Sequence, residues 1–265
     1  MTLYSSGTSG STQKLEISST AVLDRTYSGS EVHIEPERID TVVAGLPWKR
    51  ALDVALSTFA LIVLSPLMVA AAIAVKLTSR GPTLFCQERV GVNRRVGDRR
   101  RSRSHRGPER RGKDRRVMVN FGKPFKMYKF RTMVVDAEKD KPVWAQKNDA
   151  RITRVGAILR RTRIDELPQF VNVLKGEMSI VGPRPERAYF IAQIEKDLPE
   201  FQNRLRTKPG ITGLAQVELG YTNTVEGMQR KLRFDLDYIR NLTPVADLRI
   251  LYKTVSVVFT GKGAY

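Results

Sequence analysis

The chain is 265 residues long and 41% apolar, enough to bury a core as one principal domain with attachments rather than two equal halves. A net charge of +19 and a sequence pI near 10.3 call for a polyanionic partner, which could be nucleic acid, an anionic membrane surface or phosphate-rich small molecules. One cysteine, Cys86, excludes an internal disulfide framework and is compatible with a reducing compartment.

Residues 1–46 read as a polar Ser/Thr/Gly-rich tail without the apolar stretch of a secretory signal. The next element is an uncharged run at residues 54–75. As a helix it would be about 33 Å long, against about 30 Å for a bilayer core. Pro66 in its middle removes a backbone donor and predicts a bend at Ser65-Pro66. Lys49 and Arg50 precede the run and Lys76 and Arg80 follow it, so the positive-inside bias would hold both ends on the cytoplasmic side. A helix over 47–80 that enters, breaks and returns satisfies both features. A straight transmembrane helix and a buried soluble helix are the alternatives.

Residues 81–265 read as the main globular domain, interrupted by an arginine-rich loop insertion at 94–118. Residues 94–116 carry twelve basic side chains against three acidic ones and almost nothing apolar, so the segment has no core of its own. Attraction to anionic membrane lipids is the leading reading, followed by a featureless charged insertion. With no aromatics interleaved for base stacking, nucleic acid is not an expected partner.

In F-K-M-Y-K-F-R-T-M, residues 125–133, strand alternation puts Lys129 and Arg131 on one face and Phe130 on the other, a candidate phosphate clamp or a solvated strand face. Ile152, Val155, Ile158 and Leu159 recur at helical spacing and lead into Asp165-Glu166. Asp165 reads as a helix N-cap, with Pro168 in the first turn and Gly176 as the stop. Arg160, Arg161 and Arg163 crowd the approach, and Gly182-Pro183-Arg184-Pro185 holds a guanidinium between two prolines, suited to gripping phosphate oxygens. Adjacent carboxylates among such cations can ligate Mg²⁺ together with phosphate, and one of them can attack phosphorus. Surface charge or simple capping is the alternative. Leu248, Leu251, Tyr252, Val255 and Phe259 form a last helical stripe, with Arg249 and Lys253 among them, for core packing or for the membrane interface.

From Lys49 onward the sequence resembles the monotopic phosphoglycosyl transferases, the bacterial sugar transferase family. The matching pieces are K-R-A-L-D with its apolar run and Ser65-Pro66, Q-E-R-V-G at 87–91, F-K-M-Y-K-F-R-T-M, R-I-D-E-L-P-Q-F-V-N-V-L-K-G-E-M-S-I-V-G-P-R-P-E at 163–186, and K-P-G-I-T-G-L-A-Q-V at 208–217. The resemblance implies an α/β fold: a small membrane-associated catalytic domain, a short sheet with interfacial amphipathic helices and a re-entrant membrane helix, on the cytoplasmic face of the bacterial inner membrane. It implies transfer of a sugar 1-phosphate from a UDP-sugar to undecaprenyl phosphate, the first membrane step of exopolysaccharide or related glycan synthesis. Asp165 would be the nucleophile at the β-phosphate, releasing UMP. Glu166 would help Asp165 hold Mg²⁺, and Lys129, Arg131, Arg160 and Arg184 would stand near the phosphates. Self-association into a homo-oligomer is compatible with the family.

The arginine-rich run interrupts the family's short link between Gly91 and Gly122, and Glu218-Leu219-Gly220 stands where many relatives have Asn-Gly-Arg. The ending V-V-F-T-G-K-G-A-Y resembles the exopolysaccharide branch, whose members commonly transfer glucose or galactose phosphate. Two rival readings are a metal-dependent glycosyltransferase using Asp235-Leu236-Asp237, and a non-enzymatic basic adaptor. The two aspartates fall in a predicted helix, where positions two apart face different ways.

Overall fold

The structure, a computed structural model, describes residues 46–93, 121–137, 149–219 and 224–260, with the side chains of Val225, Phe259 and Thr260 excepted. The polar tail up to residue 45 and the arginine-rich insertion at 94–118 lie outside the described residues.

The long apolar run folds as two helices, α1 (Pro47–Val63) and α2 (Ser65–Thr78), bent by 61° at Leu64. Pro66 has no N–H to continue the ladder, and Ser65 Oγ bonds back to Ile62 O at 2.8 Å, so the break falls at Leu64, one residue before the Ser65-Pro66 step expected from sequence. No single helix among the described residues is long and apolar enough to cross a membrane, but this bent pair passes by length and composition.

The amphipathicity of α1 is inverted relative to a helix on a water-soluble core. Lys49, Asp53 and Ser57, each four residues apart, are buried, while Phe59 and Ile62 are 65% and 68% exposed. The buried polar side chains grip the rest of the molecule. Lys49 Nζ donates to Tyr238 Oη at 2.8 Å and pairs with Asp247 Oδ2 at 2.5 Å. Arg50 donates to the carbonyls of Val173 and Leu174, and Asp53 Oδ1 accepts from Ser179 Oγ and from the Ile180 N–H. The cations expected to hold the helix end by charge bias therefore make specific bonds to protein.

Among the described residues the sheet content is two separate two-stranded pieces rather than one short sheet. β1 (Leu84–Val90) and β2 (Pro124–Phe130) pair antiparallel from Leu84 opposite Phe130 to Val90 opposite Pro124. β3 (Ser179–Val181) and β4 (Gly210–Thr212) pair parallel and are connected through further helical turns. Beyond β3 the backbones crowd: a Cβ on Gly182 would stand 2.4 Å from the Lys208 carbonyl, which demands glycine there.

The described residues form two apolar clusters. The larger one joins β2 (Phe125, Met127), β3 (Ile180, Val181) and the helices beyond, with Val173, Met178, Ile191, Phe201 and Ile239 sealed from solvent. The smaller one sets Ala71 and Val75 of α2 against Phe130 and Leu159. Strand β2 is common to both.

The helix expected at 151–163 is α3 (Arg154–Arg161), capped by Thr153 Oγ1, which accepts from Gly156 N–H at 2.9 Å. Its first turn sits directly on the Thr132 backbone, where a Cβ at Gly156 would approach the Thr132 carbonyl to 2.1 Å. Ile152 falls outside the helix, bridging Met133, and Ile158 faces outward. At the end of the chain, α7 (Val225–Arg240) and α8 (Pro244–Thr260) follow the shorter helices α4 (Gln169–Leu174), α5 (Ala188–Asp197) and α6 (Leu214–Glu218). The core side of α8 is Asp247 and Ile250. Leu248, Tyr252 and Val255 face out, so core packing does not explain them, and Leu251 alone of that stripe's described side chains is half-buried.

Candidate functional site

The acid pair is placed by a strained turn. Arg163 has φ +60°, a left-handed conformation uncommon for a residue with a Cβ, and it reverses the chain between α3 and the 3-10 turn Ile164–Glu166. Asp165 and Glu166 are both turned inward and buried. Asp165 is therefore not the N-cap expected from sequence: it lies inside the 3-10 turn, and Pro168 occupies the cap position of α4 without a side-chain bond. The missing N–H of proline and the left-handed Arg163 move the helix start three residues on, from a cap at Asp165 to one at Pro168.

The two carboxylates differ in how they are held. Glu166 Oε1 accepts from Lys129 Nζ at 2.9 Å and from Arg184 Nη2 at 2.8 Å. Burial alone would raise its carboxyl, but Arg184 and Lys129 outweigh it and hold Glu166 well below the usual range. Asp165 has its nearest cation at 4.0 Å, between Oδ2 and Lys129 Nζ. Its carboxyl is pushed up by burial, with Lys129 pulling down and Glu166 pushing up in turn. One acid is thus a fixed anion, and its neighbour is an anion kept under tension beside it.

Of the four cations expected near phosphate, the structure brings three to the pair. Lys129 and Arg184 touch Glu166. Arg160 donates from Nε to Thr132 Oγ1 at 2.8 Å and lies close enough to lower Asp165's carboxyl. Arg131 is directed elsewhere: its Nη2 donates to Ser79 O and Ser79 Oγ at 2.8 and 2.7 Å, so it caps the C-terminus of α2. It is two residues beyond Lys129, and the backbone running off the end of β2 therefore ties the end of the bent helix pair to the acid pair.

Sequence reasoning missed Asn172. Its Oδ1 accepts from Tyr128 N–H at 3.0 Å while its Nδ2 donates to Lys126 O and Glu177 Oε2, both at 2.7 Å, which fixes α4 against β2 just ahead of Lys129. The available signal was a lone amide within the apolar F-V-N-V-L, fully buried here and fully satisfied. The rival Asp-x-Asp is split by its helix: Asp235 pairs with Arg204 in the interior, and Asp237 accepts from Asn241 Nδ2 at the surface.

Among the described residues no cluster of three or more His, Cys, Asp or Glu side chains is gathered as a metal cage. The donor set at Asp165-Glu166 fits Mg²⁺ of the phosphate-bridging kind, which takes one or two carboxylates and fills its remaining positions with water and substrate oxygens.

A sequence profile described as bacterial sugar transferase matches residues 44–261. Over 216 residues the chain is 38% identical to a UDP-N-acetylgalactosamine-undecaprenyl-phosphate N-acetylgalactosaminephosphotransferase of Aeromonas hydrophila, covering 82% of this chain and 44% of that protein. Over 231 residues it is 41% identical to a UDP-glucose:undecaprenyl-phosphate glucose-1-phosphate transferase of Escherichia coli (strain K12), covering 85% and 44%. The chain spans less than half the length of these two relatives. An exopolysaccharide production protein, PSS, of Rhizobium leguminosarum bv. phaseoli is 39% identical over 222 residues, covering 81% of this chain and 97% of the relative. With the profile spanning most of its length, the chain belongs to the bacterial sugar transferase family.

Proposed function

We propose that the chain transfers a sugar 1-phosphate from a UDP-sugar to undecaprenyl phosphate at the cytoplasmic face of the bacterial inner membrane, in the synthesis of an exopolysaccharide or related glycan. The observation that carries this reading is the unequal acid pair. Glu166, locked by Lys129 and Arg184, is an anion that orients cations, whereas Asp165 has an oxygen available 4.0 Å from the nearest ammonium. Asp165 attacks the β-phosphorus, a P–O bond forms to its carboxylate, the bond to the bridging oxygen breaks, and UMP leaves with that electron pair. The lipid phosphate then displaces Asp165 from the phosphosugar. Lys129, Arg160 and Arg184 offset the charge gathering on phosphorus. Asp165 and Glu166 would hold Mg²⁺, which when bound supplies further charge neutralisation to the diphosphate.

A lipid phosphate does not leave the bilayer cheaply, so the site must sit at the interface. The inverted α1, the 61° bend at Leu64 and the outward apolar residues of α2 support a re-entrant anchor that puts it there. Exposed Leu248, Tyr252 and Val255 on α8 suit an interfacial helix. The glycosyltransferase reading loses its support, because Asp235 is engaged by Arg204.

The test is to incubate the purified protein with Mg²⁺, undecaprenyl phosphate and a panel of UDP-sugars. UMP release is expected; UDP release would contradict the reading.

A further inference from the structure

The loop 183–186 that presents Arg184 has a backbone with little means of holding itself, because Pro183 and Pro185 have no N–H to donate. Its four successive carbonyls are nevertheless all engaged. Pro183 O accepts from Gly210 N–H at 2.9 Å and Glu186 O from Val90 N–H at 3.0 Å. The two between them accept from guanidinium groups: Arg184 O from Arg204 Nη2 at 2.9 Å, and Pro185 O from Arg89 Nη1 at 3.1 Å. Arg204 is 2% exposed, among the most deeply buried large side chains of the described residues. The same fork that holds Arg184 O binds Asp235 Oδ2 through Nε at 2.8 Å and Nη2 at 2.7 Å. Lys231, one turn from Asp235 on α7, grips Glu186 Oε1 at 2.6 Å.

We propose that Arg204, anchored by Asp235 of α7, is a positioning residue for Arg184: it fixes the loop carbonyl from which the Arg184 side chain departs, and so sets that guanidinium on Glu166 and on the donor phosphates. This rests on the proposed reading of the acid pair as a phosphosugar-transfer site. A lysine at 204 could pair with Asp235, but it lacks the planar fork that holds Asp235 through Nε and Nη2 while Nη2 also reaches the Arg184 carbonyl, so the three contacts are not kept together in that geometry. Charge balance in the interior therefore does not require arginine. The link to the Arg184 backbone does.

The experiment is a double-mutant cycle on the purified full chain, reading UMP release from the UDP-sugar that the wild type turns over. Arg204→Lys is expected to lower kcat about 10- to 100-fold with a smaller change in KM. In an Arg184→Ala background the same substitution should cost less than about twofold, because the group it positions is gone. Equal losses in both backgrounds, at wild-type UMP chemistry, would overturn this inference and leave the reading of the acid pair standing. If Arg204→Lys fails to fold, the apolar pair Arg204→Met with Asp235→Leu removes both charges together, a replacement that buried ion pairs tolerate. That variant should fold and still lose turnover, and wild-type kcat from it overturns the proposal. Unchanged UMP release from Arg184→Ala alone would sink both this inference and the site reading beneath it.

Discussion

Lys129 Nζ stands 2.9 Å from Glu166 Oε1 and 4.0 Å from Asp165 Oδ2. One ammonium thus neutralises the second acid while leaving the first loosely held, and this asymmetry separates the two roles proposed for adjacent carboxylates.

A pH prediction follows from the sign of each shift. Burial raises Asp165 and Lys129 lowers it. Attack needs the ionised form, so kcat/KM should fall as pH drops through a value above the ordinary aspartate pKa of about 3.9. Lys129→Met removes the lowering influence, and the acid limb should move to higher pH while kcat falls. A limb that stays in place would show that Lys129 does not act on the titrating group.

Glu186 gives a stability prediction. Burial opposes its ionisation, but Lys231, Arg204 and Arg89 prevail and bring its pKa down from 4.5 to about 2. A depressed acid contributes stability that is present above its unfolded pKa and lost as pH falls toward the folded one. The contribution, on the order of 3 kcal/mol, should disappear between about pH 4.5 and 2. Denaturant unfolding of Glu186→Gln should show the largest deficit against wild type at neutral pH, shrinking through that window. A deficit independent of pH would contradict it.

The helix anchor can be tested at Asp247. Asp247→Asn leaves the Lys49 ammonium buried without its carboxylate and should cost about 3–5 kcal/mol, seen as a lower thermal midpoint in detergent. Replacing both, Lys49→Met with Asp247→Leu, should cost less. A midpoint unmoved by the single change would mean that the buried pair does not fasten α1.

Much of this site could be read in the chain. Ser65-Pro66 signals its break because a missing N–H is a local property, and Asp165-Glu166 stands out because two acids among arginines are unusual in sequence. What escaped depended on distant partners. Arg131 alternates with Lys129 along a strand, yet β2 ends between them and Arg131 turns to Ser79. Asp165 looked like a cap because Pro168 follows at first-turn spacing, and the left-handed Arg163 that displaces the helix start has no sequence mark. Asp235, one of two helix positions that face different ways, acquires its part from Arg204, thirty-one positions earlier.

Re-entry is tested by labelling. With Cys86→Ser and Thr12→Cys, a membrane-impermeant maleimide should leave intact spheroplasts unlabelled and react once they are opened. Labelling of intact cells would put the tail on the far side and favour a straight span.

The most direct measurement of the central claim uses a UDP-sugar carrying ³²P in its β-phosphate, with no lipid acceptor present. The account predicts that one equivalent of UMP is released, that label stays on the protein in a linkage mapping to Asp165, that undecaprenyl phosphate discharges it, and that Asp165→Asn takes up none. An active enzyme that never retains label, or retains it equally with asparagine at 165, would contradict the account.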